Sequence, residues 1–353
     1  MSDEAVRVRD EDSFDVAAVA AWLRDHASER WRDRLEGTPE VRQFPGGASN
    51  LTYRLDWPVE TLILRRPPAG VKARGAHDMG REHRIQAALA PVFPLVPEMV
   101  AHCDDAAVIG TPFYVMTRIE GTIPRRELGV ALTREETATL CGGFWDVLVQ
   151  LHSVDPAAAG LDSLGKGDGY VARQVGGWTT RLDNARTDDM GDWSDITGWI
   201  AERQPADVGT CLIHNDFRFD NLVLTPSDPP RVAAVLDWEM ATLGDPLMDL
   251  GGSMSYWVQD DDDEFFRQFR RQPSNAPGMW SRQQVVDHYC ERMGLSLTAD
   301  QWRFYEVFGL FRNAVIAQQI YYRYFHKQTT NDIFALFGPG VQILDRRIEE
   351  LLS

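Results

Sequence analysis

The stretch LIHNDFRFDNLVL, residues 212–224, sets six polar or charged side chains in an otherwise apolar run. Burying such groups is costly unless each of them finds a partner. His214, Asp216 and Asn221 follow the order His-x-Asp-x-x-x-x-Asn, and Asp237 closes the apolar run AAVLD sixteen residues later. We therefore interpret the apolar residues as short strands that hold a loop, and the polar residues as a functional site.

The spacing of these polar residues suits phosphoryl transfer. Transfer from ATP needs positioning, metal ions that bridge the phosphates, and a carboxylate that orients the acceptor hydroxyl. Asp216 can point at the acceptor, while Asn221 on the same loop and Asp237 on the next strand offer the oxygen ligands that Mg²⁺ prefers. The spacing matches the catalytic loop and metal-binding Asp of protein kinases. The pattern therefore predicts a phosphotransferase.

Composition excludes several other classes. The chain has 353 residues and a net charge of −17, and residues 121–353 hold 21 basic and 34 acidic side chains, which argues against a nucleic-acid partner. The N-terminus is charged, and no apolar run reaches the length of a membrane span. The four cysteines form no CxxC pair. We expect a cytoplasmic protein without a membrane partner, as a monomer or homodimer.

The predicted elements change in character along the chain. Apolar periodicity predicts helices over 14–31 and 75–90, and strands within 41–57, 60–68 and 107–121. Beyond about residue 130 helices dominate, and the runs around the opening stretch and RVAAVLDWEMA form a hairpin that turns at TPSDPP. The sequence thus predicts an α+β fold in two lobes, a sheet-rich lobe of residues 1–120 and a helical lobe of residues 121–353.

Two motifs carry a resemblance to a known family. HNDFRFDNLVL and VLDWEMATLGDPLMDLG resemble the H-G-D-x-x-x-x-N and I-D-W-E-x-A-x-x-G-D-P-x-x-D-L-A motifs of aminoglycoside phosphotransferase-like, or choline-kinase-like, small-molecule kinases. The resemblance covers about residues 40–340. It is greatest for the branch that also occurs fused to acyl-CoA dehydrogenases, because LRRPPAG, REHRIQAAL and GYVARQVGGW have the look of that branch. It implies a protein-kinase-like fold with ATP, or alternatively GTP, and Mg²⁺ as cofactors.

The resemblance implies a role for each matching residue of the catalytic loop. Asp216 would be the catalytic base or the carboxylate that orients the acceptor, and Asn221 and Asp237 would be the Mg²⁺ ligands. His214 would brace the loop through hydrogen bonds. Arg218 would neutralise the phosphates or fix the loop, and a purely structural Arg is an equal alternative.

The resemblance also implies a nucleotide site in the first lobe. The turn FPGGASNLTYRL would cover the phosphates through Gly46, Gly47, Ser49 and Asn50. Arg65 occupies the place of the strand lysine that holds the α- and β-phosphates, and Glu82 would be its ion-pair partner unless it is a solvated helix residue. The adenine would be read at the link between the lobes, by Met116, Thr117 and Ile119.

Departures from the family pattern leave a second hypothesis open. Arg65 replaces a lysine, and Arg is a planar fork rather than a compact point charge. Arg66 stands beside it, and strand alternation favours Arg65 as the residue that faces the nucleotide. Arg65 in place of the lysine, and a turn that is not G-x-G-x-x-G, leave open a nucleotide-binding pseudokinase or sensor, whereas the joint presence of Asp216, Asn221 and Asp237 argues for an active enzyme.

The identity of the acceptor stays open at this point. The branch suggests a hydroxyacyl-CoA-type acceptor, and an aminoglycoside or another cationic alcohol is the alternative, favoured by the acidic second lobe. A CoA ester is strongly anionic and would need a local basic patch, such as Arg270 with Arg271 or Arg173 with Arg181. Tyr256 follows the metal-site strand closely enough to line an acceptor pocket.

Three further residues are assigned structural roles. The resemblance implies that Asp249, twelve residues beyond Asp237, accepts hydrogen bonds from the backbone of the catalytic loop. Asp245 precedes a proline and is interpreted as a turn or helix cap. His152, at the end of an amphipathic helix, is interpreted as a packed and hydrogen-bonded core residue.

Overall fold

The computed structural model describes residues 5–45, 50–68, 78–329 and 331–353, and over these ranges the chain forms ten strands and twelve α-helices. The strands are β1 (Val6–Arg7), β2 (Glu40–Gln43), β3 (Leu51–Asp56), β4 (Thr61–Arg66), β5 (Met99–Cys103), β6 (Phe113–Thr117), β7 (Cys211–Ile213), β8 (Leu222–Leu224), β9 (Val232–Val235) and β10 (Thr242–Gly244). The helices are α1 (Val16–His26), α2 (Glu29–Arg32), α3 (Met79–Leu89), α4 (Ala106–Ile109), α5 (Arg134–His152), α6 (Tyr170–Asn184), α7 (Ser194–Arg203), α8 (Pro246–Met254), α9 (Glu264–Phe269), α10 (Arg282–Met293), α11 (Ala299–Phe325) and α12 (Phe337–Leu352).

These elements group into two compact units. The first unit runs to Pro124 and includes Ala159–Leu161 and Asn221–Met240. The second contains Arg125–Ala158, Asp162–Asp220 and the chain from Ala241 onward. The predicted boundary falls after residue 120, with all later residues in the second lobe. In the structure, Asn221–Met240 belong to the first compact unit. The β8–β9 hairpin explains this, because its backbone bonds to the first unit at Thr122 and Leu95.

The first unit is built on an antiparallel sheet of six strands in the order β1-β2-β3-β4-β6-β5. Alternate residues of β3 and β4 are buried on one face, where they pack against α1 in a core that includes Val19, Leu23, Tyr53, Leu55, Leu62 and Leu64. This is the alternation that a half-covered strand requires. A mixed sheet-and-helix architecture confirms the predicted α+β class.

The two adjacent arginines of β4 lie on opposite faces of the sheet. Arg66 is buried on the face of the main core, where it lies over the rings of Phe14 and Tyr53 and donates to the Asp12 carbonyl at 2.7 Å. Arg65 is buried on the other face. Strand alternation therefore separates their roles, and Arg66 contacts the segment that precedes α1.

The predicted hairpin around the opening stretch is present as two separate ladders. In the first unit β8 pairs antiparallel with β9, with Leu222 opposite Val235. In the second unit β7 pairs antiparallel with β10, with Ile213 opposite Thr242. Residues 214–221, between β7 and β8, are not part of either ladder. They form the loop that carries the polar residues.

Two predicted elements differ in their bounds. The helix expected over 14–31 is divided into α1 and α2, because Ala27 and Ser28 adopt extended backbone conformations. The strand expected over 107–121 begins only at Phe113. Before it, Asp105 caps the short helix α4 by accepting from the Ala107 backbone N–H, and Gly110 ends that helix with a left-handed φ of 81°.

Helices α5 to α12 make up most of the second unit. A cluster of aromatic rings packs beneath the loop after β7, with Phe144 4.7 Å from Phe217 and 4.2 Å from Phe219 between ring centroids. Such rings supply much of the apolar area that stabilises a core. Over the described ranges, no helix combines the length and the apolar character needed to cross a bilayer.

Gly121 allows a close approach of two backbone segments in the first unit. Its φ is 150°, and an added Cβ would lie 1.9 Å from the carbonyl oxygen of Leu224. Because backbone must move to relieve this contact, we expect Gly121→Ala to lower the free energy of unfolding by about 2–4 kcal/mol. Urea denaturation followed by circular dichroism measures this change.

Gly176→Ala is the matched control for that substitution. Gly176 lies within α6, and an added Cβ there meets no atom within 4 Å. Because Ala has the higher helix propensity, this variant should be unchanged or more stable by up to about 1 kcal/mol. Equal stability of the two variants would contradict the steric role of Gly121.

Candidate active site

One buried carboxylate fixes the loop that follows β7 in the second unit. Asp249 on α8 is 1% exposed, and its two oxygens accept from the backbone N–H groups of His214, at 2.7 Å, and Asn215, at 2.8 Å. The His152 Nε2 lies 3.1 Å from the same carboxylate. The structure therefore gives Asp249 the hydrogen bonds to loop backbone that the sequence predicted.

The surroundings of Asp249 keep it ionised. Burial acts to raise its pKa, but hydrogen bonds from His152 and from the His214 backbone lower the pKa below its ordinary value overall. His152 Nδ1 lies 2.6 Å from the Tyr289 hydroxyl. The hydroxyl can donate to Nδ1 while the protonated Nε2 donates to Asp249, so His152 is the packed and hydrogen-bonded residue that was predicted.

Asn215, the residue before Asp216, has an unusual backbone conformation. Its φ is 66°, in the left-handed region where Asn is tolerated better than most residues. Arg312 on α11 donates to its carbonyl oxygen at 2.9 Å, and the Tyr170 hydroxyl on α6 donates to its side-chain oxygen at 3.1 Å. Two helices thus hold the residue that sets the direction of Asp216.

Asp216 itself is partly open to solvent. Its side chain is 27% exposed, and Arg218 Nη2 lies 3.0 Å from one of its oxygens. The Arg218 guanidinium also lies 4.7 Å from the centre of the Tyr256 ring and 3.4 Å from Asp220. The Asp216 backbone N–H donates to His214 Nδ1 at 3.3 Å. In this structure His214 and Arg218 brace the loop.

In the first unit, Arg65 bridges two acidic residues. Its Nη2 lies 2.9 Å from Asp237, and its Nη1 lies 3.5 Å from Glu82. Burial acts to lower the pKa of Arg65, but Tyr114, Asp237 and Glu82 raise the pKa overall, so the guanidinium stays charged. Arg65 rather than Arg66 therefore holds the position next to the predicted metal ligand.

Glu82 is a buried residue, so the solvated alternative is wrong. Its side chain is 1% exposed, and it accepts from the Tyr114 hydroxyl at 2.8 Å and from the Asn50 amide at 2.9 Å. Burial raises the pKa of Glu82, and the charge of Arg65 opposes that shift. Asn50 is thereby held next to Glu82, and its role above the phosphates stays a prediction.

The residues present fit a magnesium ion. Asn221 directly precedes β8, and Asp237 lies two residues after β9, the strand that pairs with β8. Between them, the Leu236 backbone N–H donates to the Asn221 carbonyl at 2.8 Å. The Asp237 side chain is 32% exposed, and carboxylate and amide oxygens are the ligands that Mg²⁺ prefers. In the described part of the chain no group of three or more His, Cys, Asp or Glu residues could hold a metal. Nucleotide phosphates and water are the usual source of the other ligands of this ion.

The remaining predicted nucleotide contacts have different outcomes. Gly46, Gly47 and Ser49 lie outside the described residues. The Thr117 backbone N–H donates to the Glu98 carbonyl at 2.9 Å, so that group is already satisfied, and Met116 is buried in the cluster of Ile63, Met79 and Tyr114. Ile119 follows β6 without regular structure. The roles of these residues stay predictions.

Sequence reasoning missed several supporting residues. Glu239 accepts from the Asn50 amide at 3.3 Å, and its carbonyl oxygen accepts from Arg81 at 3.0 Å. Tyr114 and Arg312 were also not anticipated. The Asp-Trp-Glu run at 237–239 could have indicated Glu239. The hydrogen bond from Arg312 to Asn215 has no such local signal, because it joins residues 97 positions apart.

The chain is similar in sequence to known proteins. The model of the family described as "Phosphotransferase enzyme family" matches residues 40–284. Human acyl-CoA dehydrogenase family member 11 is 33% identical over 332 residues, which is 94% of this chain and 42% of that protein. Mouse acyl-CoA dehydrogenase family member 10 is 36% identical over 81% of this chain and 27% of that protein. The chain thus spans less than half the length of these curated relatives.

Solved structures share the fold. A protein from Ralstonia eutropha JMP134 that is named for the aminoglycoside phosphotransferases matches with a TM-score of 0.81 and 30% identity, over 96% of this chain and 98% of that one. Choline kinase from Cryptosporidium parvum matches with a TM-score of 0.62 and 11% identity, over 96% of both chains. These likenesses confirm the expected kinase-like fold.

Proposed function

We propose, from the premise that the chain belongs to the phosphotransferase enzyme family, that it moves the γ-phosphoryl group of ATP to a hydroxyl of a small molecule. In this reaction a bond forms between the acceptor oxygen and the γ-phosphorus, while the bond from that phosphorus to the β–γ bridging oxygen breaks. The hydroxyl proton passes to a base, and ADP leaves.

The observation that carries the proposal is the way in which Asp216 is presented. Asp249 holds the preceding backbone through two hydrogen bonds, and Asp216 remains partly exposed with one oxygen bound by Arg218. A carboxylate that is held in place but accessible can orient an acceptor hydroxyl and take its proton. We assign Asp216 this role, with His214 and Arg218 as positioning residues.

The first unit supplies the groups for the nucleotide. Arg65, held next to Glu82, would contact the phosphates, as a guanidinium is well suited to do. Asn221 and Asp237 would hold Mg²⁺, which when bound neutralises charge on the phosphates. Two solved phosphotransferases of this fold are GDP complexes, so GTP is an alternative to ATP as the donor.

The names of the curated relatives support a hydroxyacyl-CoA-type acceptor, since these relatives are called acyl-CoA dehydrogenase family members. An aminoglycoside or another cationic alcohol is the alternative within the enzyme class.

A second candidate function is a nucleotide-binding sensor that transfers nothing. The ion pair between Arg65 and Asp237 favours it, because Arg65 occupies one oxygen of a predicted metal ligand.

Substitution of Asp237 tests the proposed use of metal and nucleotide. We expect Asp237→Asn to weaken ATP binding in the presence of Mg²⁺ by at least about tenfold, since a charged ligand of the metal is lost. Binding without Mg²⁺ should change much less. Calorimetric titration of ATP with and without Mg²⁺ measures both quantities.

Asp104→Asn is the control for this experiment. Asp104 is an exposed carboxylate of the same unit, so this variant should bind ATP as the wild type does. Equal Mg²⁺ dependence in the Asp237 variant and the wild type would rule out the metal role. Binding of ATP by the wild type, without transfer to any of a broad panel of alcohols, would favour the sensor.

A further inference from the structure

The charge next to the catalytic loop has the opposite sign to that of its surroundings. Residues 121–353 hold 34 acidic against 21 basic side chains. Around residues 215–220, however, four arginines of the second unit converge, namely Arg125, Arg218, Arg271 and Arg312. The acceptor would therefore meet a local potential that the net charge of the chain does not reveal.

Three of these arginines are held by the loop itself. Arg312 donates to the Asn215 carbonyl at 2.9 Å, and Arg125 donates to the Asp220 carbonyl at 3.3 Å. Arg218 pairs with the carboxylates of Asp216 and Asp220. Arg125 and Arg312 bind carbonyl oxygens in these contacts. Counted against the carboxylates of Asp216, Asp220 and Asp249, the four arginines leave one excess positive charge.

Arg271 differs from the other three. It is exposed, and it makes no hydrogen bond or ion pair with any residue that the structure describes. The next residue, Gln272, accepts from the Phe219 backbone N–H at 3.1 Å and donates to the Tyr256 carbonyl at 3.1 Å, which places Arg271 beside the loop. Arg271 also contributes to the electrostatic surroundings of Asp220 and Tyr256. Arg312 also acts electrostatically on Tyr256. An accessible guanidinium with unused donors therefore borders the loop that carries Asp216.

We infer that the acceptor is an anion, and that Arg271 binds its negatively charged group while Arg218 and Arg312 add to the positive potential around Tyr256. The inference rests on the proposed function and narrows its acceptor class. The charged group is an oxyanion, supplied by the carboxylate of a hydroxy acid or by the phosphates of a larger ester. A guanidinium binds both kinds of oxyanion, and a cationic alcohol would be repelled.

A panel of four hydroxyl compounds tests the sign of the charge. We expect kcat/KM to be at least about tenfold higher for 3-hydroxybutyrate or 3-hydroxybutyryl-CoA than for neutral 1,3-butanediol, and kanamycin to be the poorest acceptor. The better of the two anions identifies the source of the oxyanion. A preference for kanamycin or for the neutral diol would overturn the inference.

Charge reversal at Arg271 tests the residue. Arg271→Glu should raise KM for the preferred anion at least about tenfold with a smaller effect on kcat, and Arg271→Lys should restore most of the loss. The loss should be smaller at high ionic strength, where charge is screened. Arg303→Glu, an exposed arginine of α11 paired with Asp300, makes the same charge change and should leave KM unaltered.

Direct binding decides the matter if no compound is phosphorylated. The two anions are titrated into the wild type, Arg271→Glu and Arg303→Glu, each saturated with a non-hydrolysable ATP analogue. Binding that only the Arg271 variant loses supports the inference. Equal binding by all three, or no binding of either anion to the wild type, overturns it. The Mg²⁺-dependent binding of ATP tests the proposed function separately.

Discussion

Asp216→Asn is expected to lower phosphoryl transfer by about 10²–10⁴-fold, which is the usual contribution of a positioned general base. Asn retains the size of the side chain and one acceptor oxygen, but it cannot take the proton of the acceptor hydroxyl. The backbone bonds that fix the loop go to Asp249 and not to Asp216, so the loop should keep its conformation. ATP affinity should change by less than about threefold, because the substituted group acts in the transition state.

Coupled measurement of ADP release at saturating ATP, together with calorimetric titration of ATP, distinguishes the two effects. Asp195→Asn removes an exposed carboxylate from α7 of the same unit and should transfer at the wild-type rate. Full transfer activity in Asp216→Asn would mean that another group takes the proton. A large loss of ATP affinity would mean that Asp216 helps to hold the nucleotide.

Asp249→Ala is expected to lower the free energy of unfolding by about 3–5 kcal/mol and to abolish transfer. The substitution leaves two backbone N–H groups and His152 without their acceptor inside the second unit. Unpaired buried donors are costly because they lose water without gaining a replacement. The backbone before Asp216 also loses its tether.

Urea denaturation measures the stability of this variant, and transfer is assayed at a temperature at which it remains folded. Asp287→Ala, at an exposed site on α10, should change stability by less than about 0.5 kcal/mol. A stable Asp249→Ala protein would show that the loop is held by other contacts. A stable and active one would remove Asp249 from the site altogether.

The parts of the site that the sequence predicted are those with short-range signals. His214, Asp216, Asn221 and Asp237 could be identified from their order in the chain, because the geometry of the loop requires a set spacing between such residues. Period-two alternation in β4 was enough to separate Arg65 from Arg66, because the two faces of a strand alternate with every residue. The role of Asp249 followed from its motif.

What the sequence did not reveal depends on contacts between distant segments. Tyr114 and Glu82 meet across 32 positions, and neither has a local pattern that announces a hydrogen bond. The hydrogen bonds of Arg125 and Arg312 to the loop were also not evident, because each joins segments that are distant in sequence. The start of α4 was missed because one capping carboxylate, at Asp105, outweighed the strand propensity of the residues that follow it.

The two arginines of β4 also bear on the fidelity of folding. A slip of one residue in strand pairing would turn every side chain of β4 to the opposite face. Arg66 would then leave Tyr53, and Arg65 would leave Glu82 and Asp237. Misaligned pairings of this sheet are therefore penalised by charge as well as by lost apolar contact, which favours a single native register.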